Sequence, residues 1–216
     1  MGLGLSPLRA AVFALLLLVS GVASSDAPVA SREVDRLEPF GAGTHGLTVQ
    51  AYYFPEAGWS AAQLAAPLRE ALGILAQCGI RVDQVTQHEL SGGEPAWRDL
   101  GLPGSARLAG ELAPRRPALF FVRETRRRTP YEAEAFGRGN TRSMPVLAGT
   151  VWVTRGARDL PVVLAHELAH VLMDSGEHVD EPGNLMRDET APGNTVLTPA
   201  QCARMREAGK ANGWLQ

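Results

Sequence analysis

The sequence predicts a mixed α/β or α+β domain in which helices cover a single β-sheet. Hydrophobic residues make up 45% of the 216-residue chain, which is enough to bury a sizeable core. Short segments rich in β-branched and aromatic residues alternate with segments of helical periodicity. Each predicted helix also begins at a residue that can cap it. The expected order is strand, helix, three strands, helix, irregular segment and a last helix.

The domain is predicted to begin with a strand over residues 47–54, followed by a long helix. The helix begins at Ser60, and Gln63 completes a capping box three residues later. Leucine and alanine then recur at helical spacing and form one apolar face. Pro67 should kink this helix, and Gly79 should end it in a left-handed conformation.

Further strands are predicted where short apolar segments follow. Residues 80–86, 117–122 and 146–154 are rich in β-branched or aromatic residues. The triplet of arginines at 126–128 lies between two of these strands and is interpreted as a solvated turn.

Two more helices are predicted nearer the carboxyl end. Asp159 can cap a helix over residues 160–174. The last helix opens at Thr198, with Pro199 at the first helical position and Gln201 completing a capping box.

The amino-terminal residues are predicted to be a targeting segment. Arg9 precedes a ten-residue apolar run over 10–19, and small residues follow it. The run is too short to span a bilayer, and the pattern is typical of a secretory signal peptide. We therefore expect a signal peptide at 1–24, a tail or linker at 25–45 and a folded domain at 46–216. The mature protein should be secreted or periplasmic, with no membrane association once the signal is removed.

Charge and cysteine content narrow the expected functions. The net charge is -2, whereas a nucleic-acid-binding domain is normally strongly basic, so no nucleic-acid partner is expected. Cys78 and Cys202 are the two cysteines. In an oxidising compartment they can form a disulfide, with two free buried thiols as the alternative.

The segment that carries chemistry is His166-Glu167-Leu-Ala-His170. Two histidines four residues apart on a helix share one face and can bind one metal ion, and Glu167 lies where it can reach a water on that metal. The pattern would arise by chance roughly 0.008 times in a chain with this histidine and glutamate content. We therefore expect His166 and His170 to be metal ligands and Glu167 to be catalytic. The alternative is a helix whose histidines make ordinary hydrogen bonds.

A third metal ligand is expected eight residues later, at His178. Catalytic zinc sites use three protein ligands and keep a fourth position for water. A continuous helix would carry His178 about 12 Å from His170 along its axis, so the chain must turn back, and Gly176 permits this turn. Imidazole suits zinc and favours His178 over the nearby carboxylates. Those carboxylates belong to Asp174, Glu177 and Asp180.

These residues resemble the metzincin zinc metallopeptidases. The resemblance rests on the segment 166–170, on Gly176 and His178, and on the later Asn184-Leu185-Met186. It implies a metzincin-like zincin fold: a twisted mixed sheet with a long amino-terminal helix, an active-site helix and a carboxyl-terminal helix. It also implies that Met186 lies in a methionine turn beneath the zinc. Residues 197–201 look like the start of the last helix in the matrixin-like members, and the resemblance spans about 46–216.

The spacing departs from the usual metzincin pattern. The family places glycine three residues after the second histidine and the third ligand three residues after that, but Met173 and Gly176 occupy those positions here. Two extra residues therefore separate the second and third ligands. No tyrosine follows Met186 closely, and no cysteine in 25–44 could provide latency through a cysteine switch.

The resemblance implies a secreted zinc endopeptidase with one catalytic Zn²⁺. Glu167 would act as general base toward a metal-activated water, and the substrate would be a peptide or protein lying along an edge strand. That strand could come from 135–142 or 143–149, although 137–140 is interpreted first as a plain loop. The protein is expected to be a monomer.

Two other functions remain open at this stage. One is a non-catalytic binding protein on a metallopeptidase scaffold. The other is a zinc amidase acting on cell-wall material, or a peptidase whose third ligand is a distant glutamate. Glu181 and Glu189 are available for that role.

Overall fold

The computed structural model describes Met1 and residues 27–124 and 137–216. The rest of the predicted signal peptide and the arginine triplet at 126–128 lie outside these residues. No helix in the described parts is long and apolar enough to cross a membrane.

A six-stranded mixed sheet forms the centre of the domain, and its strands lie in the order β1-β3-β2-β4-β6-β5. The four inner strands β3, β2, β4 and β6 pair in parallel, whereas β1 and β5 pair antiparallel at the two edges. The prediction of a mixed α/β domain is confirmed. The strands are β1 Ala30–Leu37, β2 His45–Tyr53, β3 Ile80–Ser91, β4 Ala118–Val122, β5 Gly137–Gly139 and β6 Thr150–Thr154.

Helices cover both faces of the sheet. Side chains of α1, α3 and α4 pack into one large core cluster on the first face, together with the apolar side of the strands. The second face carries a smaller aromatic cluster that includes Leu108 and Ala109 of α2. The helices are α1 Ala61–Leu75, α2 Leu102–Leu112, α3 Leu160–Met173 and α4 Pro199–Ala211.

The first helix, α1, begins after Ser60 as predicted, but the predicted capping box is incomplete, because the Ser60 hydroxyl rather than its backbone N–H donates to the Gln63 side chain, at 3.0 Å. The backbone N–H of Gln63 donates to the side chain of Ser60 at the amino end, and five apolar residues on one face are buried. The helix continues through Pro67 to Leu75. A short 3-10 turn then leads to Gly79, which has a φ of 73° and so adopts the left-handed conformation that glycine favours.

Part of the segment predicted to be a tail or linker is a strand of the sheet. Residues Ala30–Leu37 form β1, which pairs antiparallel with β3. Most of its side chains are exposed, so it lacks the apolar alternation that marks a half-buried strand. The assignment of 25–45 as a linker was wrong for these residues, because the pairing to β3 supplies an order that the segment's own composition does not predict.

Helix α2 was missed in the sequence. It contains Pro103, Gly104 and Gly110, which weaken the helical signal within its eleven residues. Its burial against the second face of the sheet stabilises a helix that propensity alone does not favour. The strand boundaries also differ from prediction, since β3 runs to Ser91 and β6 is confined to Thr150–Thr154.

The two later helices begin as predicted, but their caps differ. Thr198 and Gln201 form a complete capping box at the start of α4. Asp159 stands at the N-cap of α3, yet its side chain makes no capping hydrogen bond there. The expected role of the Asp159 carboxylate as a cap was therefore wrong.

A disulfide joins Cys78, just after α1, to Cys202 in the first turn of α4. Gln77 adds hydrogen bonds across the same junction, since its side-chain nitrogen donates to the carbonyl of Thr195 at 2.8 Å and its oxygen accepts from the N–H of Leu197 at 2.8 Å. The disulfide and Gln77 thus fix the segment that leads into α4 against the end of α1.

We predict that replacing both cysteines by alanine lowers the free energy of unfolding by about 2–5 kcal/mol, because the bond closes a long loop of the unfolded chain. The two cysteines that close this loop are 124 residues apart in sequence. Urea unfolding of the Cys78→Ala/Cys202→Ala protein measures the loss. An unchanged unfolding midpoint would show that the bond contributes nothing to stability.

Candidate metal centre

Helix α3 places two histidines side by side in the interior. His166 and His170 lie four residues apart, so they share one face of the helix, and only 3% and 5% of their surfaces are exposed. The neighbouring apolar residues of α3 are buried in the core, which fixes the rotation of the helix and therefore the direction of both imidazoles.

The chain turns back at Asp174 rather than at Gly176. Helix α3 ends at Met173, and Asp174 has a φ of 48°, in the left-handed region. The N–H of Ser175 then donates to the carbonyl of His170 at 3.1 Å, and the Asp174 carboxylate accepts from the N–H of Arg142 at 2.7 Å. The prediction that Gly176 makes the turn was wrong, because an aspartate can adopt this conformation when neighbouring groups hold it.

This turn brings His178 to the two helical histidines. The Nε2 atoms of His166 and His170 are 3.0 Å apart, those of His170 and His178 are 3.1 Å apart, and those of His166 and His178 are 3.3 Å apart. Three nitrogen ligands arranged tetrahedrally around zinc would be separated by roughly 3.4 Å. The three Nε2 atoms therefore have the spacing of a single metal site.

Hydrogen bonds at the Nδ1 atoms of two rings determine which ring nitrogen carries the proton. Nδ1 of His166 is 2.7 Å from the carbonyl oxygen of Leu185, and Nδ1 of His170 is 2.6 Å from that of Ser175. A carbonyl can only accept, so both Nδ1 atoms carry the proton. In the neutral rings of His166 and His170, each Nε2 atom is then unprotonated and carries a free lone pair. Lone pairs 3.0 Å apart cannot bond to each other, so the arrangement fits a cation between them.

Burial keeps the helical imidazoles neutral. It lowers the pKa of His170 to about 4, with the charge of His166 acting in the same direction, and it lowers the pKa of His166 as well. Both rings therefore have free lone pairs at neutral pH, which is the form that binds a metal.

The third histidine has a carboxylate partner. Nδ1 of His178 lies 3.5 Å from the carboxylate of Asp188, which is itself exposed. Metal-bound histidines commonly direct their second nitrogen to a carboxylate or a carbonyl, and this contact orients the ring. Together the three rings form a group that could hold a metal ion.

Four of the five carboxylates considered as rival ligands bind elsewhere, and the fifth, that of Glu189, lines the cleft but does not belong to the three-histidine group. Asp174 accepts from Arg142, Glu177 accepts from Arg204 at 2.7 Å, and Asp180 pairs with Arg187 at 3.3 Å. The Glu181 carboxylate accepts from Asn184 at 3.2 Å. The structure thus gives the third position of the cluster to His178.

Met186 lies in a buried turn whose backbone is well hydrogen-bonded. Its side chain is 1% exposed and belongs to the core that surrounds α3. Its N–H donates to the side-chain oxygen of Asn184 at 2.8 Å, and its carbonyl accepts from the N–H of Val179 at 2.9 Å. The preceding Leu185 supplies the carbonyl that orients His166, so the turn carries part of the site.

Asn184 also connects this turn to α4. Its amide exchanges two hydrogen bonds with the side chain of Gln201, at 3.1 and 3.2 Å. Gln201 is the residue that completes the capping box of α4. The sequence marked Gln201 only as a cap, and its second role could not be read from the capping pattern.

Glu167 points into the cleft beside the histidines and contacts the edge strand. The N–H of Gly139 donates to one oxygen of its carboxylate. Burial raises the pKa of Glu167 to about 7, while the Gly139 hydrogen bond and the charge of Arg138 partly oppose this rise. Glu167 is thus a partly neutralised carboxyl group at neutral pH.

The edge strand β5 packs closely on α3 because it carries two glycines. A Cβ at Gly137 would lie 2.7 Å from Cγ of Glu167. A Cβ at Gly139 would lie 2.3 Å from the backbone carbonyl oxygen of Glu167. Residues 137–139 pair with β6, so the interpretation of this segment as a plain loop was wrong. The Gly-x-Gly spacing was the available signal, because glycine in a strand often marks a close backbone approach.

A cleft of about 950 Å³ runs past these groups. All three histidines and Glu167 line it, and β5 forms one rim while the segment after Met186 forms another. The cleft is large enough for an extended peptide segment.

The comparisons with known proteins give a likeness of fold but none of sequence. No protein-family model matches the sequence, and no curated protein is similar to it in sequence. The structure is similar to the crystal structure of metalloproteinase-II from Bacteroides fragilis, with a TM-score of 0.55 and 18% sequence identity. The match covers 78% of this chain and 54% of that one, so the chain spans about half the length of the protein it resembles.

This likeness shows a metalloproteinase-like fold. At 18% sequence identity it bears on the fold alone. The fold and the three convergent histidines therefore agree on a metallopeptidase-like scaffold with a group that could bind a metal.

We predict that Gly139→Ala destabilises the domain by about 1–3 kcal/mol, because the new methyl group would force β5 away from α3. Gly73→Ala is the matched control: Gly73 lies inside α1, and a Cβ there meets nothing within 4 Å. The control should raise stability by about 0.5–1 kcal/mol. Thermal unfolding compares the two variants, and equal behaviour would contradict the close packing of β5.

Proposed function

We propose that the protein is an exported, zinc-dependent endopeptidase of the metzincin type. The meeting of three imidazoles beside a half-buried carboxylate in an open cleft supports this proposal most strongly. His166, His170 and His178 would hold the metal, and Glu167 would act as the general base.

The donor set favours zinc among the common metals. Three neutral imidazoles suit zinc, whereas calcium and magnesium prefer oxygen ligands. Three protein ligands that leave one position open are the arrangement of catalytic rather than structural zinc sites. When bound, zinc would act as a Lewis acid that polarises a peptide carbonyl and makes a water acidic enough to lose its proton near neutral pH.

Glu167 would move the proton. One of its oxygens accepts the N–H of Gly139, which holds the carboxylate in the cleft and leaves the other oxygen available. That oxygen would take a proton from the water as the water oxygen bonds to the peptide carbonyl carbon. The same proton would then pass to the amide nitrogen as the carbon–nitrogen bond breaks, giving an amine and a carboxylic acid.

The turn at Met186 would keep the first ligand in place. The Leu185 carbonyl fixes the ring orientation of His166, and the buried Met186 side chain supports the turn from below. We assign this turn as the methionine turn of the metzincin resemblance.

The substrate would be a peptide or protein extended along β5. This strand is the edge of the sheet nearest the histidines, and an extended peptide can pair with the edge of a sheet. We propose that the protein acts as a monomer outside the cytoplasm, after removal of a signal peptide at 1–24. The Cys78–Cys202 disulfide is compatible with an oxidising compartment.

We predict that Glu167→Gln lowers peptide hydrolysis by at least about 10²-fold, because the amide cannot accept the proton from water. Zinc content should stay at one ion per chain, since the three imidazoles are unchanged. A chelator-sensitive assay on a peptide library, with zinc measured by elemental analysis, checks both points. Glu70→Gln, on the exposed side of α1, is the control and should keep full activity. Full turnover by Glu167→Gln would refute the role of Glu167.

We also predict that His178→Ala weakens zinc binding by at least about 10²-fold, because it removes one of three ligands. Asp180→Ala should bind zinc normally, since its carboxylate is almost fully exposed and pairs with Arg187. Competition with a zinc indicator dye measures both affinities. Loss of zinc in Asp180→Ala but not in His178→Ala would mean that the third ligand is misassigned.

A further inference from the structure

Two exposed arginines line the cleft. Arg138 is the middle residue of β5, and Arg158 directly precedes the N-cap of α3. Among residues 27–124 and 137–216, neither guanidinium has a hydrogen bond or an aromatic ring to bind, and Arg138 interacts with the Glu167 carboxylate only through its charge.

Arginines elsewhere in the described parts mostly do have partners. Some pair with carboxylates, as Arg32 does with Glu89 and Arg204 does with Glu177. Others donate to backbone carbonyls, as Arg155 does to Gly58 and Arg206 does to Cys78. Arginines in the described parts thus usually bind within the protein. Arg138 and Arg158 make no such hydrogen bond or ion pair with the described residues, and both line the same cleft.

The two arginines lie on the Glu167 side of the histidines. Arg138 precedes Gly139, whose N–H contacts the Glu167 carboxylate. Arg158 lies just before the first turn of α3. Val163 and Glu167, in the following turns of that helix, also line the cleft. A peptide bound beside Glu167 would therefore pass close to both guanidinium groups.

The opposite side of the cleft is acidic. Asp188 lies 3.5 Å from His178, and Glu189 follows it on the same rim. These carboxylates would repel an anionic group on the His178 side. Asp159 also lines the cleft next to Arg158, and it offsets one of the two positive charges there. Glu167 lies on the same side and is partly neutralised at neutral pH, so the Arg138 side is less acidic than the His178 side.

We propose that Arg138 and Arg158 form an anion subsite that selects substrates with a carboxylate on the Glu167 side of the scissile bond. This inference rests on the proposed peptidase function and adds the class of substrate. Guanidinium groups bind carboxylates through paired N–H donors, and this geometry is more selective than that of a point charge. The carboxylate could belong to an aspartate or glutamate side chain, or to the carboxyl end of the peptide.

The test measures hydrolysis of matched peptides by the zinc-loaded protein. Amidated peptides carry glutamate or its uncharged analogue glutamine at each position around the cleaved bond, and a second series carries a free terminal carboxylate in place of the amide. At one position we expect the carboxylate to raise kcat/KM by about fivefold over its neutral analogue, the size of an exposed charge pair. The two series identify which carboxylate is recognised.

Variants then assign the preference to the arginines. In Arg138→Gln/Arg158→Gln the carboxylate and its neutral analogue should be cleaved equally, and in Arg158→Glu the preference should reverse toward lysine. Arg115→Gln is the matched control, because Arg115 is also exposed and unpaired among the described residues but does not line the cleft. It should keep the wild-type preference. In the wild-type protein, raising the salt concentration should shrink the preference.

A binding measurement separates this inference from the peptidase proposal. Fluorescence anisotropy records the binding of the same labelled peptides to zinc-loaded Glu167→Gln, with and without the two arginine substitutions. If the wild-type protein cleaves no peptide, the proposed function fails, and the binding preference still decides the anion subsite. Equal binding and cleavage of charged and neutral peptides would overturn the subsite, as would a preference that survives in the double variant.

Discussion

The site depends on two hydrogen bonds that the backbone accepts from imidazoles. The carbonyls of Leu185 and Ser175 hold the Nδ1 protons of His166 and His170, and this fixes both the tautomer and the orientation of each ring. With the protons placed there, the Nε2 lone pairs face one another and His178. Such a cluster of lone pairs is electrostatically unfavourable without a cation, so the three histidines form a group that could hold a metal ion.

Each carbonyl belongs to a segment that the fold fixes from a distance. Ser175 follows the left-handed turn at Asp174, which the carboxylate of Asp174 ties to Arg142. Leu185 lies in the turn that Asn184 joins to Gln201 at the start of α4. The Cys78–Cys202 disulfide then ties α4 to the end of α1. The covalent link thus supports the ring orientation of a histidine far away in sequence.

The sequence predicted the parts of this account that depend on local spacing. His166, Glu167 and His170 follow from their positions on one helix, and the caps of α1 and α4 follow from short patterns. The strand β1 and the role of β5 did not follow, because they depend on pairing with strands distant in sequence. The turn lies at Asp174 rather than at Gly176 for a similar reason. Tertiary contacts hold Asp174 in the left-handed conformation, which no local sequence pattern predicts.

X-ray absorption spectroscopy of the zinc-loaded protein measures whether three imidazoles bind one zinc ion. We expect one zinc per chain, with three imidazole nitrogens at about 2.0–2.1 Å and one light-atom ligand from solvent. A protein that takes up no stoichiometric zinc would contradict this expectation, as would a zinc bound by fewer than three imidazoles.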